Sequence, residues 1–181
     1  MYNFIFDIDD TLYQNKKLTK PLSQDIFHLY YLYNNEKNKK KQINILEKIV
    51  LRYKKSFQYD YKLNQLIKNI PYPIHIITNS RNIHCFTTLY LIGIIKKCKV
   101  ILTAETQQQM KPYPQVYNYF EKLQNNNYKN IFFDDRPENL IYPKKKGWIT
   151  VLINDKSYKT NYIDFVFPDI YQALEFFNKN M

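Results

Sequence analysis

Residues 1–11 read MYNFIFDIDDT, an apolar run at positions 2–6 that breaks abruptly into Asp7, Asp9, Asp10 and Thr11. The run has the length and aromatic and β-branched character of a buried strand, and the acidic residues then mark the strand's exit. In an extended stretch side chains alternate with period two, so Asp7 and Asp9 are expected on one side. Two unit charges ~4 Å apart repel by about 4 kcal/mol at an effective dielectric of ~20. A protein tolerates that repulsion when a cation lies between the carboxylates or when one of them keeps its proton. Either outcome is a chemical device. The plainer reading of acidic residues at such a position is a turn or a helix cap.

Downstream, short apolar runs alternate with helix-like periodicity. Strands are expected at 2–6, 74–77, 99–102, 130–133, 148–153 and 165–167. Helices are expected at 82–92, 112–124, 137–145 and 170–178. Gly93 and Gly147 stand where helices end, and Pro112 and Pro137 where helices begin. Pro143 inside the third helix predicts a short or bent element. This alternation specifies an α/β fold, a Rossmann-like, mainly parallel sheet flanked by helices. Between the first and second strands the rhythm turns helical, at 23–33, 42–55 and 62–69, with a polar tract NNEKNKKK at 34–41. The expected organisation is a core of residues 1–13 and 67–181, with a small helical cap insert at 14–66.

Three further segments join Asp7 and Asp9 as candidates. Residues 76–80, IITNS, end an apolar strand in the small hydroxyl and amide residues Thr78, Asn79 and Ser80, where Thr78 and the backbone N–H groups after it can hold anionic oxygens. Lys111 directly precedes an expected helix start, where its ammonium and the helix dipole would act together on an anion. Residues 131–135, IFFDD, deliver Asp134 and Asp135 from another strand into a turn. Hard oxygen ligands of this kind suit Mg²⁺, which accepts a few carboxylates beside water and phosphate. Singly, each has a bland reading: an N-cap, a surface lysine, an acidic turn. In a parallel sheet, however, all four strand ends fall on one edge, the usual place for a ligand.

In this order and strand context, DIDDT, Thr78, Lys111 and Asp134–Asp135 resemble the haloacid dehalogenase-like hydrolase superfamily. The resemblance runs from Met1 to about Ile153, leaving out most of the insert. It implies a Mg²⁺-dependent phosphatase in which Asp7 is the nucleophile and forms an aspartyl-phosphate, while Asp9 protonates the leaving group and then activates water. It implies Mg²⁺ held by the Asp7 carboxylate, the Asp9 backbone carbonyl and Asp135, with Asp134 direct or through water. Thr78, Asn79 and Lys111 would grip the phosphoryl oxygens. Dehalogenating members lack the second aspartate, so Asp9 implies phosphoryl transfer. The insert matches the position of the C1-type cap. DIDDTLY at 7–13, Thr78–Asn79 with His84, and FFDD at 132–135 further resemble the pyrimidine 5′-nucleotidase-like branch, which implies a nucleotide monophosphate substrate. The insert is shorter than that branch's cap, and Arg136 stands where serine often follows the paired aspartates.

The remaining composition bounds partners and place. The net charge of +11 fits a phosphorylated substrate, and a nucleic-acid role, as a polynucleotide end-phosphatase or a basic binding protein, is the alternative. The lysines are scattered, however, and the abundance of Asn, Lys, Tyr, Ile and Phe, whose codons are rich in A and T, accounts for the surplus equally well. Cys85 and Cys98 give neither a disulfide framework nor a metal pattern. Three aspartates in the first ten residues break any signal-peptide core. The longest apolar stretch, near 89–95, is far below the ~20 residues that span a bilayer. A cytoplasmic protein without a membrane partner is expected. His75 and Trp148 read as core. His84, His28, Arg81, Arg52, Lys54 and the aromatic face at 27–33 are secondary candidates for lining a pocket, each with packing or solvent exposure as the commoner explanation.

Overall fold

The computed structural model describes residues 1–13, 32, 35–38, 40–41, 44–45, 47–49, 51, 59–107, 109–124, 127–154 and 160–180. Two compact units are present, one of Met1–Gln14 with Tyr61–Met181 and one of Asn15–Asp60. The described residues of the smaller unit include helical positions at 40–41, 44–45 and 47–49, with Ile49 buried. His28, Arg52, Lys54 and nearly all of the aromatic face at 27–33 lie outside the described residues, as does most of the expected helices at 23–33 and 42–55.

The larger unit is built on a six-stranded parallel sheet in the order β3-β2-β1-β4-β5-β6. Its strands are β1 (Tyr2–Phe6), β2 (Ile74–Ile77), β3 (Cys98–Leu102), β4 (Lys129–Asp134), β5 (Ile149–Ile153) and β6 (Phe165–Phe167). The helices are α1 (Tyr61–Asn69), α2 (Asn82–Ile92), α3 (Pro114–Gln124), α4 (Ile141–Lys145) and α5 (Ile170–Asn180). The Rossmann-like α/β architecture expected from the alternation is present. Because the strand order reverses between β1 and β4, the crevice beyond their carboxyl ends is the topological switch point.

Alternation along β1 and β4 supplies both halves of the core. Phe4 and Phe6 face Phe133, with ring centroids 6.0 and 4.7 Å away, and Phe177 of α5 closes this layer. Ile5 and Phe132 point to the opposite face, where they pack with Val116, Tyr117 and Phe120 of α3 and with Trp148. Each such buried side chain contributes about 1.5–3 kcal/mol. Asn3, Ile5 and Asp7 share one parity, as do Asn130, Phe132 and Asp134. The pairing of Ile5 with Phe132 is continued by the Asp7 N–H donating to the Phe133 carbonyl at 2.9 Å. The register that buries these rings therefore also brings Asp7 beside Asp134.

Several boundaries differ from the sequence expectation. Helix α1 belongs to the larger unit, so the division falls at Tyr61 and not at residue 67. Leu63 and Ile67 are buried there, and the Asn64 amide donates to the carbonyls of Ile92 and Gly93 at 2.7 and 3.2 Å. Helix α3 starts at Pro114, since Pro112 sits in a turn behind a cis Lys111–Pro112 bond. The stretch at 137–145 splits into a 3-10 turn, Pro137–Leu140, and the short α4, as Pro143 predicts. Gly93 and Gly147 both take φ 78°, the left-handed stop expected of them. His75 and Trp148 are core. Burial pushes the His75 imidazole down to about 4, and the Trp148 indole donates to Glu121 at 2.9 Å. No helix among the described residues is long and apolar enough to cross a membrane.

Candidate active site

Lys111 is the centre of the strand-end cluster. Its side chain is almost fully buried, and Nζ lies 2.8 Å from Asp7 Oδ1 and 2.6 Å from Asp134 Oδ2. The Phe132 ring lies beneath it, 5.5 Å from Nζ to the centroid. Burial opposes the charge on Lys111, but Asp134 and Asp7 outweigh it and hold the ammonium above its ordinary range. The lysine is therefore a fixed positive charge between two strands. Its backbone is clamped by Asn79, whose amide donates to the Lys111 carbonyl at 3.0 Å and accepts from the Lys111 N–H at 2.9 Å.

Asp7, Asp134 and Asp135 each present a carboxylate oxygen, and these atoms all lie within 4.8 Å of one another. Burial first, then the charge of Asp134, drives the Asp7 carboxyl up to about 7 against the pull of Lys111. Burial and Asp134 likewise push Asp135 up to about 6. Carboxyls so raised are ones that lack enough positive charge around them. The donor set is hard oxygen, compact and electrostatically short of a cation, which fits Mg²⁺. Asp134 is the most committed of the three. One oxygen takes Lys111, and the other accepts from the Arg136 N–H at 3.0 Å and the Asn139 amide at 2.8 Å. Asp7 and Asp135 would thus be the better placed to ligate a cation directly, while Asp134 anchors Lys111.

Asp9 is not brought round by strand alternation. The strand ends at Phe6, and the chain turns, with the Tyr13 N–H donating to the Ile8 carbonyl at 2.9 Å and Asp10 at φ 56°. The Asp9 carboxylate lies outside the Asp7–Asp134–Asp135 group, and the metal role the resemblance implies for Asp9 is that of its backbone carbonyl. The side chain instead meets Ser80 Oγ at one oxygen and His84 Nε2, 2.7 Å away, at the other. Asp9 still opens on the same cleft of about 180 Å³ as Asp7, Thr78, Ser80, Lys111 and Asp135.

Thr78 ends β2 on this cleft. Its N–H donates to the Leu102 carbonyl at 2.9 Å, its hydroxyl accepts from the Ser80 N–H at 3.2 Å, and Gln107 holds its carbonyl at 3.2 Å. Asn79, expected to grip phosphate, spends its side chain on Lys111 and is a positioning residue. Arg81 is exposed at the start of α2. The sequence pattern assigns no side-chain role to Ser80, Gln107 or Asn139, and offers His84 only as a secondary candidate. The available signal was that Ser80 and His84 stand four residues apart where a strand gives way to a helix, which puts both on one side. A larger cavity, about 540 Å³, lies along α3 and the preceding loop, and among the described residues Lys122 is the only charged one lining it. The carboxylate cluster and Lys111 line the smaller cleft.

Comparison with solved structures settles the architecture. The L-2-haloacid dehalogenase of Xanthobacter autotrophicus, with chloropropionic acid covalently bound, superposes with a TM-score of 0.64 at 10% identity over 99% of both chains. The fold is the haloacid dehalogenase fold. A HAD phosphatase from Thermococcus onnurineus matches this fold with a TM-score of 0.63 at 18% identity, over 98% of each chain. YfnB of Bacillus subtilis, assigned to the HAD hydrolases and bound to magnesium, matches with a TM-score of 0.64 at 16% identity, over 97% of this chain and 98% of its own. No family model and no curated protein sequence matches the chain. Structures of the haloacid dehalogenase fold thus include both phosphatases and dehalogenases, and the side chains must decide between them.

Proposed function

We propose that the chain is a Mg²⁺-dependent phosphatase that hydrolyses a small phosphate monoester, a nucleotide monophosphate by preference. The observation that carries this reading is the pairing of Asp7 with the buried Lys111 ammonium, 2.8 Å away, at the mouth of the switch-point cleft, with Asp135 beside them. Asp7 and Asp135 would hold the metal. Bound there, Mg²⁺ would supply the positive charge that lets an anionic carboxylate approach an anionic phosphoryl group.

In the first half-reaction an Asp7 carboxylate oxygen forms a bond to phosphorus as the bond to the leaving oxygen breaks, and that oxygen takes the proton of Asp9. In the second, water attacks phosphorus while the Asp9 carboxylate takes its proton, and the Asp7–phosphorus linkage breaks to release phosphate. Lys111 and Thr78 face the phosphoryl oxygens throughout. A halide leaves without a proton, so an aspartate held in the cleft by Ser80 and His84 favours ester over carbon–halogen cleavage.

The test is a turnover panel with p-nitrophenyl phosphate, nucleotide monophosphates, a 5′-phosphorylated oligonucleotide and L-2-chloropropionate, each with Mg²⁺ or chelator. Metal-dependent phosphate release, strongest on a nucleotide, is expected. Chloride release without phosphate release would refute the phosphatase reading. Preference for the oligonucleotide would move the substrate to polynucleotide ends.

A further inference from the structure

A carboxyl that first gives and then takes a proton must point at the reacting oxygen in both half-reactions, and Asp9 has no strand to hold it. It sits on a turn beside the left-handed Asp10, and its side chain is 30% exposed. The restraint comes from 71 and 75 residues away, where Ser80 Oγ meets Oδ2 and His84 Nε2 meets Oδ1. His84 lies in the first turn of α2, and Ser80 stands just before Arg81, the residue that caps that helix, so one segment fixes both oxygens. The same segment begins with Thr78 and Asn79, which bear on the phosphoryl site and on Lys111. Rotation of the Asp9 carboxyl would break either contact.

We propose that His84 is a positioning residue that, with Ser80, aims the Asp9 carboxyl at the leaving oxygen and then at the attacking water. This rests on the phosphatase reading. His84 itself does not touch the phosphoryl group; it acts through Asp9. Its removal should therefore weaken acid assistance in proportion to how much the leaving group needs it.

The test is kcat/KM for His84→Ala, His84→Gln, Asp9→Asn and Asp9→Asn/His84→Ala on p-nitrophenyl phosphate and phenyl phosphate, with Mg²⁺ and with thermal midpoints measured alongside. Phenolate is the poorer leaving group. His84→Ala should lose about thirty-fold on phenyl phosphate and only a few-fold on p-nitrophenyl phosphate, a partial loss of the roughly 10²–10⁴-fold that a positioned general acid supplies. His84→Gln, whose amide nitrogen lies as many bonds from the backbone as Nε2, should recover most of that loss. In the Asp9→Asn background, His84→Ala should add no more than about two-fold, because residues acting as one unit are non-additive. Equal losses on both substrates, no recovery by Gln, or full additivity with Asp9→Asn would overturn the proposal while leaving the phosphatase reading intact. Absence of metal-dependent turnover in the unmodified protein would overturn both.

Discussion

Asp7→Asn separates stability from chemistry in a way that only this charge arrangement predicts. The Asp7 carboxyl is only 7% exposed and is raised from 3.8 to about 7 by burial and by Asp134, even with Lys111 at 2.8 Å. That upward displacement already includes the attraction of Lys111, so its sign says that the ionised form is disfavoured by the fold. At pH 8 in chelator, the folded protein must hold a charge that the unfolded chain holds freely, at a cost of about 4 kcal/mol. Asparagine keeps the shape without that cost. The variant should therefore unfold at higher denaturant than the parent at pH 8 without metal, by about 2–3 kcal/mol. Excess Mg²⁺ should close most of that gap. It should stabilise the parent by about 3 kcal/mol at a hundred-fold excess over its dissociation constant and the variant much less. Phosphate release should fall below detection in the same preparation. Urea melts at pH 8 with Mg²⁺ or chelator, beside p-nitrophenyl phosphate turnover, measure both properties. A variant that keeps turnover, or that gains from Mg²⁺ as much as the parent, refutes the reasoning.

Lys111→Met should destabilise the protein by about 3–5 kcal/mol, since it leaves two buried carboxylates without their shared cation, and should lower kcat/KM at least ~10³-fold; denaturation and steady-state kinetics check this. Asn79→Ala removes both hydrogen bonds to the Lys111 backbone and should cost about 1–3 kcal/mol, with a weaker kinetic loss than Lys111→Met. Metal-free stability should fall as pH rises from about 4 to about 7. Asp7 and Asp135 titrate near 7 and 6 in the fold and lower when unfolded, so the folded state holds extra protons across that window. Added Mg²⁺ should flatten the profile, and urea melts at stepped pH show the slope.

The sheet was legible because its strands are short apolar runs punctuated by Gly, Pro and acidic residues, and parallel strands buried on both faces leave that signature. The convergence of Asp7, Lys111 and Asp134 was legible too, because topology alone gathers strand ends on one edge. What the linear pattern could not carry was side-chain commitment. Asn79 looks like a phosphate ligand until its amide is seen clamped to Lys111, 32 residues on. Asp9 looks like an alternating strand residue until the turn at Asp10 redirects it to Ser80 and His84. Helix α1 was assigned to the insert because its periodicity reports an apolar face but not which core that face covers; the carbonyls of Ile92 and Gly93 that Asn64 satisfies are remote in sequence.

The electrostatic count explains why so polar a cluster can be buried at all. Asp7, Asp134 and Asp135 carry three negative charges when ionised, and Lys111 returns one, leaving a net −2 within a few ångströms. A low-dielectric site does not hold that charge; it takes up protons, and Asp7 is the group pushed to about 7. In the proposed reaction a protonated Asp7 would be a poor nucleophile. One divalent cation brings the count to zero and lets Asp7 ionise, whereas a monovalent ion leaves a residual charge that protonation must still absorb. On the proposed reading, the same carboxylates would make ionisation of Asp7 conditional on a bound divalent cation, while Lys111, fixed between Asp7 and Asp134, offsets part of their charge without one.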